Sequence, residues 1–293
     1  MSTHKPIISI VMATHNRRSM VERTLSQLDY CGLDRADYET IVVDNDSSDG
    51  TPAAIAHRVN RLICLPRNAG STAKAFGAEE TRGQYLVFLD DDSYPRPGSL
   101  ERMICRFENQ PHLGAAGFTV HLPTGHLEGG ALPGVFVGCG VGLRAEAYRE
   151  SGGLDRTFFM QAEEYDLSFR LAVAGWDVEV FDDLHVEHEK TQQERRSDRT
   201  VHYDTRNNLR VLARYLPWPF AAIYRVDCVQ RYEWLAACEG EEHLRAFYRG
   251  RLAGDLHGMM ERPLYHRSRL SEPAFERFFR WSEIRMRMTE LWQ

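Results

Sequence analysis

The sequence predicts an α/β protein: a mostly parallel sheet flanked by helices, followed by a C-terminal helical appendage. Three observations lead there. Within the first ninety of 293 residues, short β-rich apolar runs alternate with helical stretches, the pattern of a parallel sheet wound with right-handed crossovers. Each run ends abruptly in a polar cluster, and the ends of parallel strands are where open α/β sheets place ligands. From about Val201 onward the pattern is helical to the end, broken by Pro217, Pro219, Gly240 and Pro263. We therefore divide the chain at residue 200, into a core over 1–200 and a helical region over 201–293.

The first strand is Pro6 to Ala13, ending in Thr14-His15-Asn16-Arg17, after which Ser19 caps a helix carrying Met20, Leu25 and Leu28. Tyr38 to Val43 is the second, closed by Asp44-Asn45-Asp46-Ser47-Ser48-Asp49-Gly50. Thr51-Pro52 opens a helix to Val59. Leu62 to Leu65 is the third, followed by Arg67-Asn68-Ala69-Gly70-Ser71 and a helix over Thr72–Thr81. Tyr85 to Leu89 is the fourth. It is short and continuously apolar, as a buried parallel strand should be, and Pro95 stops it. Pro97–Phe107 reads as a helix, Ala115–His121 as a strand, and Gly125–Gly142 as a hairpin or irregular sheet edge. A short helix over Ala145–Glu150 leads to a turn at Gly152-Gly153-Leu154-Asp155. The helix Glu163–Ala174 ends at Gly175. Val178–Phe181 is a further strand, and Asp183–Glu189 a polar loop with His185 and His188. Asn207–Tyr215, Phe220–Ala237, Glu241–Met260 and Ser271–Leu291 complete the helices.

Composition narrows the function. A net charge of −6 argues against a nucleic-acid-coating surface. Six cysteines without a CxxC pair read as free thiols of a reducing compartment, not as a disulfide framework or zinc site. The longest weakly polar run, Ala131–Leu143, holds four glycines and a proline, too broken to span a bilayer. We expect a cytoplasmic protein, with a peripheral location at the inner membrane face as the alternative. Neither a GxGxxG nor a GxxxxGK[ST] string follows any strand.

What remains is acidic. Asp90, Asp91 and Asp92 repel one another unless a cation sits among them, so a hard divalent metal is the natural occupant; the competing reading is a simple turn. In a parallel sheet, Thr14–Arg17, Asp44–Asp49, Asn68–Gly70 and Asp90–Asp92 share one edge and converge. The strings Ser-Ile-Val-Met-Ala-Thr-His-Asn-Arg, Ile-Val-Val-Asp-Asn-Asp-Ser-Ser-Asp-Gly-Thr and Leu-Val-Phe-Leu-Asp-Asp-Asp resemble the signature runs of the inverting family 2 glycosyltransferases, which have the GT-A fold. Gly152-Gly153-Leu154-Asp155, continuing to Glu163-Glu164-Tyr165-Asp166, is similar to that family's acceptor-side helix. The likeness covers about residues 6–190.

The resemblance implies a metal-dependent enzyme that moves a sugar from a nucleoside diphosphate donor to an acceptor hydroxyl. On that basis Thr14, Asn16 and Arg17 line the nucleotide, and Asp44 accepts from the imide N–H of uracil or thymine, pointing to UDP- or dTDP-linked donors. An Asx turn at Asp44 and an exposed helix-start arginine at Arg17 are the plain alternatives. Asp90 and Asp92 correspond to the DxD pair, one contacting ribose or sugar and the other holding Mg²⁺ or Mn²⁺. Asp91 is grouped with the donor contacts, although alternate positions on an extended segment face opposite sides. His188 completes the metal shell, with His185 as competitor. Asn68 and Gly70 are kept, but a second asparagine is missing, and Lys74 is expected to supply that contact by reaching a phosphate. Glu164 is the expected general base with Glu163 open as an alternative, since the pair here is Glu-Glu where the family has Glu-Asp. Acids placed merely to favour a helix dipole are the bland account. Asp166 and Arg170 read as an i,i+4 salt bridge.

In the tail, Arg206-Asn207-Asn208 resembles the helix start of rhamnosyltransferase-like members, and Arg195, Arg196 and Arg199 read as a solvated basic loop or as diphosphate contacts. Residues 262–287 hold seven arginines and three glutamates among Phe275, Phe278, Phe279 and Trp281. That stripe packs on the domain or on a second subunit, or else meets a membrane surface. Two rivals stand: a haloacid-dehalogenase-type phosphohydrolase, and an inactive sugar-nucleotide binder. The first requires its aspartates after the first strand, whereas here three strands precede them. The sugar and the acceptor (a glycan, lipid-linked sugar or natural product) are not written in these motifs.

Overall fold

The computed structural model describes residues 5–129, 132, 134–190, 197–218, 220–262, 270 and 278. Its strands are β1 (Ile8–Thr14), β2 (Tyr38–Asp44), β3 (Arg61–Cys64), β4 (Tyr85–Asp90), β5 (Ser93–Pro95), β6 (Leu113–His121), β7 (Leu127–Glu128), β8 (Gly140–Arg144) and β9 (Asp177–His188). The helices are α1 (Arg18–Leu28), α2 (Thr51–Ile55), α3 (Lys74–Ala78), α4 (Ser99–Asn109), α5 (Ala145–Glu150), α6 (Glu163–Val173), α7 (Asp198–Tyr215), α8 (Phe220–Glu239) and α9 (Glu241–Glu261).

One sheet runs β3-β2-β1-β4-β8-β6-β9-β5, with β7 beside β6. Strands β3, β2, β1 and β4 are parallel, and every residue of β2 is buried, as a strand covered on both faces requires. Beyond β4 the sheet is mixed: β8 is antiparallel to both β4 and β6, β9 is parallel to β6, and β5 is antiparallel to β9. Two apolar layers sandwich it. One holds Ile8, Ile10, Met12, Val87 and Leu89; the other holds Val11, Ile41, Phe88, Val141 and the buried face of α6.

Several local expectations are corrected. Ser19 lies inside α1; the helix starts at Arg18, whose N–H is satisfied across the loop by Asp49 Oδ2 at 3.1 Å, so no local cap is needed. The helix expected over Thr51–Val59 stops after Ile55, and that over Thr72–Thr81 is a 3-10 turn, Gly70–Ala73, followed by α3. Pro95 does not end the run of strands: it lies in β5, at the sheet edge where a residue without an N–H is tolerated. Gly125–Gly142 is not only a hairpin or an edge, because β8 starts at Gly140 and sits between β4 and β6. Gly142 permits this, since a Cβ there would stand 2.1 Å from Met103 Sδ. The loop expected over Asp183–Glu189 is the second half of β9. Leu184, Val186 and His188 are buried in alternation, a period-2 signal masked by the charged residues between them.

The C-terminal helices dock closely. A Cβ at Gly250 would lie 2.4 Å from the carbonyl oxygen of His202, and one at Gly254 2.8 Å from that of Arg206, so these glycines let α9 approach the backbone of α7. The helix expected from Asn207 begins nine residues earlier, with Ser197 Oγ accepting from Thr200 N–H as its N-cap. The helix expected over Ser271–Leu291, most of the 262–287 stripe, and Arg195 and Arg196 lie outside the described residues. Phe278 is described; it is buried against Phe169 with ring centroids 4.9 Å apart.

Candidate active site

The ends of β1, β2 and β4 open into a cavity of about 740 Å³. That is a size typical of small-ligand sites. Facing these ends is the N-terminus of α6, and α7 and α8 contribute Arg199, Thr200, Asp204, Asn208 and Tyr232 to the wall.

The acids at the end of β4 are each held differently. Asp90 Oδ1 accepts from Lys74 Nζ at 2.5 Å, and the same ammonium donates to the Gly138 carbonyl at 2.9 Å. Burial pushes the Asp90 carboxyl up, but Lys74 and His188 outweigh it and hold it at about 2. Asp91 is buried and accepts from Thr14 Oγ1 at 2.7 Å. Desolvation carries its carboxyl to about 7, against the pull of Arg17. Asp92 accepts from Arg17 Nη2 at 2.9 Å, while Arg17 Nη1 lies 3.3 Å from Asp91. Arg17 is thus a clamp across two of the three acids.

His188 is placed by register. Ser93 pairs with His188 across β5 and β9, which brings the imidazole beside the acids. Its Nε2 lies 3.2 Å from Asp92 Oδ1, and its Nδ1 lies 2.6 Å from Glu128 Oε2 and 3.3 Å from Cys139 Sγ. Burial disfavours the imidazolium, yet contacts with Asp92, Cys139 and Glu128 push its pKa up to about 12. Asp92 Oδ1 is buried and receives no aligned hydrogen bond. Donor atoms of Asp90, Cys139 and His188 all lie within 4.8 Å of one another, close enough to share a cation.

Across the cavity, Glu163 and Glu164 open α6. Glu163 Oε1 accepts from Ser71 Oγ, and its Oε2 is buried without a hydrogen bond. Burial raises the Glu163 carboxyl; burial and then the neighbouring Glu163 raise that of Glu164 well above the usual carboxylate range. The loop before α6 is unusual: Phe159, Gln161 and Ala162 all have positive φ, at 68°, 68° and 61°. Asn207 of α7 holds it, its Nδ2 facing the carbonyl oxygens of Phe158, Met160 and Gln161 at 3.0, 2.7 and 2.8 Å. Gly70, at φ 69°, lies against the same loop; a Cβ there would fall 2.1 Å from the Phe159 oxygen.

Of the residues expected from sequence, Thr14, Arg17, Asn68, Gly70, Lys74, Asp90, Asp91, Asp92, Glu163, Glu164 and His188 line this one cavity. Asn16 and Asp44 are not part of the lining. Asn16 is exposed and receives the Ser48 N–H at 2.7 Å. Asp44 stands beside Thr14 in the sheet register, with Oδ2 accepting from Ser47 N–H at 3.0 Å and Oδ1 buried without a hydrogen bond. Asn68 closes an Asx turn onto Gly70 N–H at 2.7 Å, and Lys74 points at Asp90. Sequence reasoning missed Asn45, Glu128, Cys139, Asp204 and Tyr232. Asn45 sat in a quoted motif; Cys139 and Glu128 lay in a glycine-rich stretch without periodicity, and Asp204 and Tyr232 in the tail.

The profile of the family described as "Glycosyl transferase family 2" matches residues 9–127, the segment that contributes the strand ends and all three acids. In this segment the chain is similar to that family. Over 106 residues, the chain is 36% identical to the succinoglycan biosynthesis protein ExoO of Rhizobium meliloti, an alignment covering 34% of this chain and 30% of that protein. It is 25% identical over 223 residues to the N-acetylglucosaminyl-diphospho-decaprenol L-rhamnosyltransferase of Mycobacterium tuberculosis, covering 58% and 72% of the two chains. The chain spans about a third of the length of the first relatives it matches. Its fold is shared with the Pyrobaculum calidifontis mannosyltransferase PcManGT solved with GDP-Man and Mn²⁺, at TM-score 0.59 and 15% identity over 91% of this chain and 86% of that one. S. aureus TarS 1-349 with UDP-GlcNAc superposes at TM-score 0.62 and 12% identity, over 89% and 86%.

Proposed function

We propose that this chain is a metal-dependent, inverting glycosyltransferase that moves a sugar from a nucleoside diphosphate donor to an acceptor hydroxyl. One observation carries the proposal. The aspartates at the end of β4 and the glutamate pair at the start of α6 face each other across one cavity, each at the end of a rigid element. That separates a leaving-group side from a proton-accepting side, as direct displacement at an anomeric carbon requires.

Asp90, Asp92 and His188 fit a Mn²⁺ or Mg²⁺ ion: they mix carboxylate and imidazole donors, and the buried Asp92 Oδ1 lacks an aligned hydrogen bond. Such an ion, when bound, neutralises charge building on the departing diphosphate. Arg17 keeps Asp91 and Asp92 close in spite of their repulsion, and Thr14 fixes the Asp91 rotamer. Lys74, seated on Asp90, adds a fixed positive charge where phosphate oxygens would lie. Glu164 takes the acceptor proton. Its raised affinity for protons suits a base, with Glu163 tied down by Ser71. UDP- or dTDP-linked donors fit if the base lies beyond the cavity lining against Asp44, whose buried Oδ1 receives no hydrogen bond and would accept the imide N–H.

Differential heat stability with UDP, dTDP and GDP, each with and without Mn²⁺, tests the donor site. Stabilisation by none of them would sink the reading. Unchanged turnover in Glu164→Gln would take the role of base from Glu164, whereas no turnover in either form despite binding would leave an inactive sugar-nucleotide binder. Among the described residues no helix is long and apolar enough to cross a membrane.

A further inference from the structure

Cys139 is the feature of the cavity that the proposed reaction does not use. Its position is fixed by the sheet. The antiparallel ladder between β4 and β8 ends at Leu89 paired with Gly140, so one step further Cys139 comes opposite Asp90. Ser93 locks the pair: its Oγ accepts from the Asp90 N–H at 2.8 Å and donates to the Cys139 carbonyl at 2.8 Å. The thiol is buried and lies 3.3 Å from His188 Nδ1. For a tetrahedral ion with bonds of about 2.3 Å to sulfur and about 2.0–2.1 Å to nitrogen, the two donors would stand about 3.6 Å apart. The observed separation is within a few tenths of that. Donor atoms of Asp90, Cys139 and His188 all lie within 4.8 Å of one another, and an ion at Nδ1 would replace the hydrogen bond from that nitrogen to Glu128 Oε2 at 2.6 Å.

We infer that Cys139 is a thiolate ligand of the cation held by Asp90 and His188, so that the site accepts thiophilic divalent ions. The inference rests on reading this cavity as the cation site of a nucleotide-sugar enzyme. An all-oxygen and imidazole shell suits Mg²⁺ and Mn²⁺, whereas a thiolate donor shifts preference toward zinc, cobalt and cadmium. On coordination the S–H proton is released to solvent and one metal–sulfur bond forms, with no change of oxidation state.

The test is cobalt substitution. Wild-type chain stripped by chelation and titrated with Co²⁺ is expected to develop a thiolate-to-cobalt charge-transfer band in the near ultraviolet, saturating at one ion per chain. Cys139→Ser is expected to lose the band and to bind Cd²⁺ at least tenfold more weakly, with Mg²⁺ affinity changed less than threefold. Far-ultraviolet circular dichroism and the heat-unfolding midpoint without added metal confirm that the variant is folded. If the variant does not fold, the cadmium-113 resonance of wild-type protein reports directly whether sulfur is in the coordination sphere. Binding of Mn²⁺ or Co²⁺ without any sulfur signature overturns this inference and leaves the proposed enzyme standing. Failure of the wild type to bind any of these ions, with or without UDP, overturns both. A sulfur signature that persists in Cys139→Ser assigns it to another cysteine and overturns the inference.

Discussion

Asn207→Ala is the perturbation that separates the role of the C-terminal helices most cleanly. Asn207 is fully buried, and its amide nitrogen faces three loop carbonyls at 2.7–3.0 Å. Two N–H bonds serve these three acceptors. The Phe158 oxygen keeps Arg206 Nη2 at 2.6 Å and the Met160 N–H at 2.9 Å, so two carbonyls lose their donor at about 1–3 kcal/mol each, a loss on the order of 2–6 kcal/mol. The loop resists relaxation poorly, because left-handed backbone at Phe159, Gln161 and Ala162 is itself costly and persists only when its surroundings impose it. Since the loop leads directly into Glu163 and Glu164, its collapse also moves the expected base. A displacement of about 1 Å at such a position can cost on the order of 100-fold in rate. The measurements are the heat-unfolding midpoint and kcat for sugar transfer. We expect a midpoint drop of roughly 5–15 °C and a fall in kcat of at least tenfold, from the stability scaling of chains this size. Asn207→Asp keeps the shape but cannot donate, and should be at least as damaging. Either variant with a midpoint within about 2 °C of wild type and unchanged kcat would refute the claim that this side chain moulds the loop.

Other expectations follow from the same geometry. Glu164→Gln should lower kcat by roughly 10²–10⁴-fold while leaving nucleotide-induced stabilisation intact; a loss of binding instead would assign Glu164 to the donor side. Because the Glu164 carboxyl is raised by burial and by Glu163, and the base must be deprotonated, kcat should rise with pH along a limb above the ordinary carboxylate range. A limb at or below the range of a free glutamate would contradict this. Arg17→Ala removes the clamp on Asp91 and Asp92, so Mn²⁺-dependent stabilisation by UDP should weaken about tenfold or more in a titration, equivalent to about 1.4 kcal/mol. Asp166→Ala leaves Arg170 and Arg214 buried without a shared carboxylate; chemical denaturation should show a loss of about 3–5 kcal/mol. A loss under about 1 kcal/mol would mean solvent reaches the pair.

The strand ends were legible because a buried parallel strand is a continuous apolar run, and what interrupts it is polar for a reason. Thr14, Asp90 and Asn68 could be placed on one edge from that alone. The second half of the sheet was not legible in the same way. Strand β8 is Gly-Val-Gly-Leu-Arg, and its glycines serve close packing on Met103, a contact invisible in any periodicity. His188 was read in a loop because charged residues occupy the exposed positions of β9, although its partner in register is Ser93. Cys139 had no signal of its own; only the β4–β8 register places it beside Asp90. Residues from α7 and α8 were out of reach for a similar reason, since docking of helices remote in sequence leaves no local pattern.

That docking explains why the helices that follow β9 share one site with the sheet. Asp166, fully buried on α6, accepts from Arg170 at 2.7 Å within its own helix and from Arg214 at 2.6 Å and Tyr215 at 2.7 Å on α7. Arg214 also reaches Asp155 at 2.9 Å, in the turn before the strained loop, and Glu261 on α9 at 2.9 Å. Every charge in this network but Arg170 has a charged partner on another element, and burying any one of them alone would cost several kcal/mol. None of this network lines the cavity, whereas Asp204 and Asn208 of the same helix do, and Asn207 between them holds the loop before α6. Helix α7 therefore does two things at once: its last turn fixes α6 through Asp166, and its middle turns shape the loop and wall in front of Glu164. Variation in the helical region can change what the cavity admits while the aspartate side, built on the N-terminal strands with Arg17 and Lys74 beside them, stays as it is.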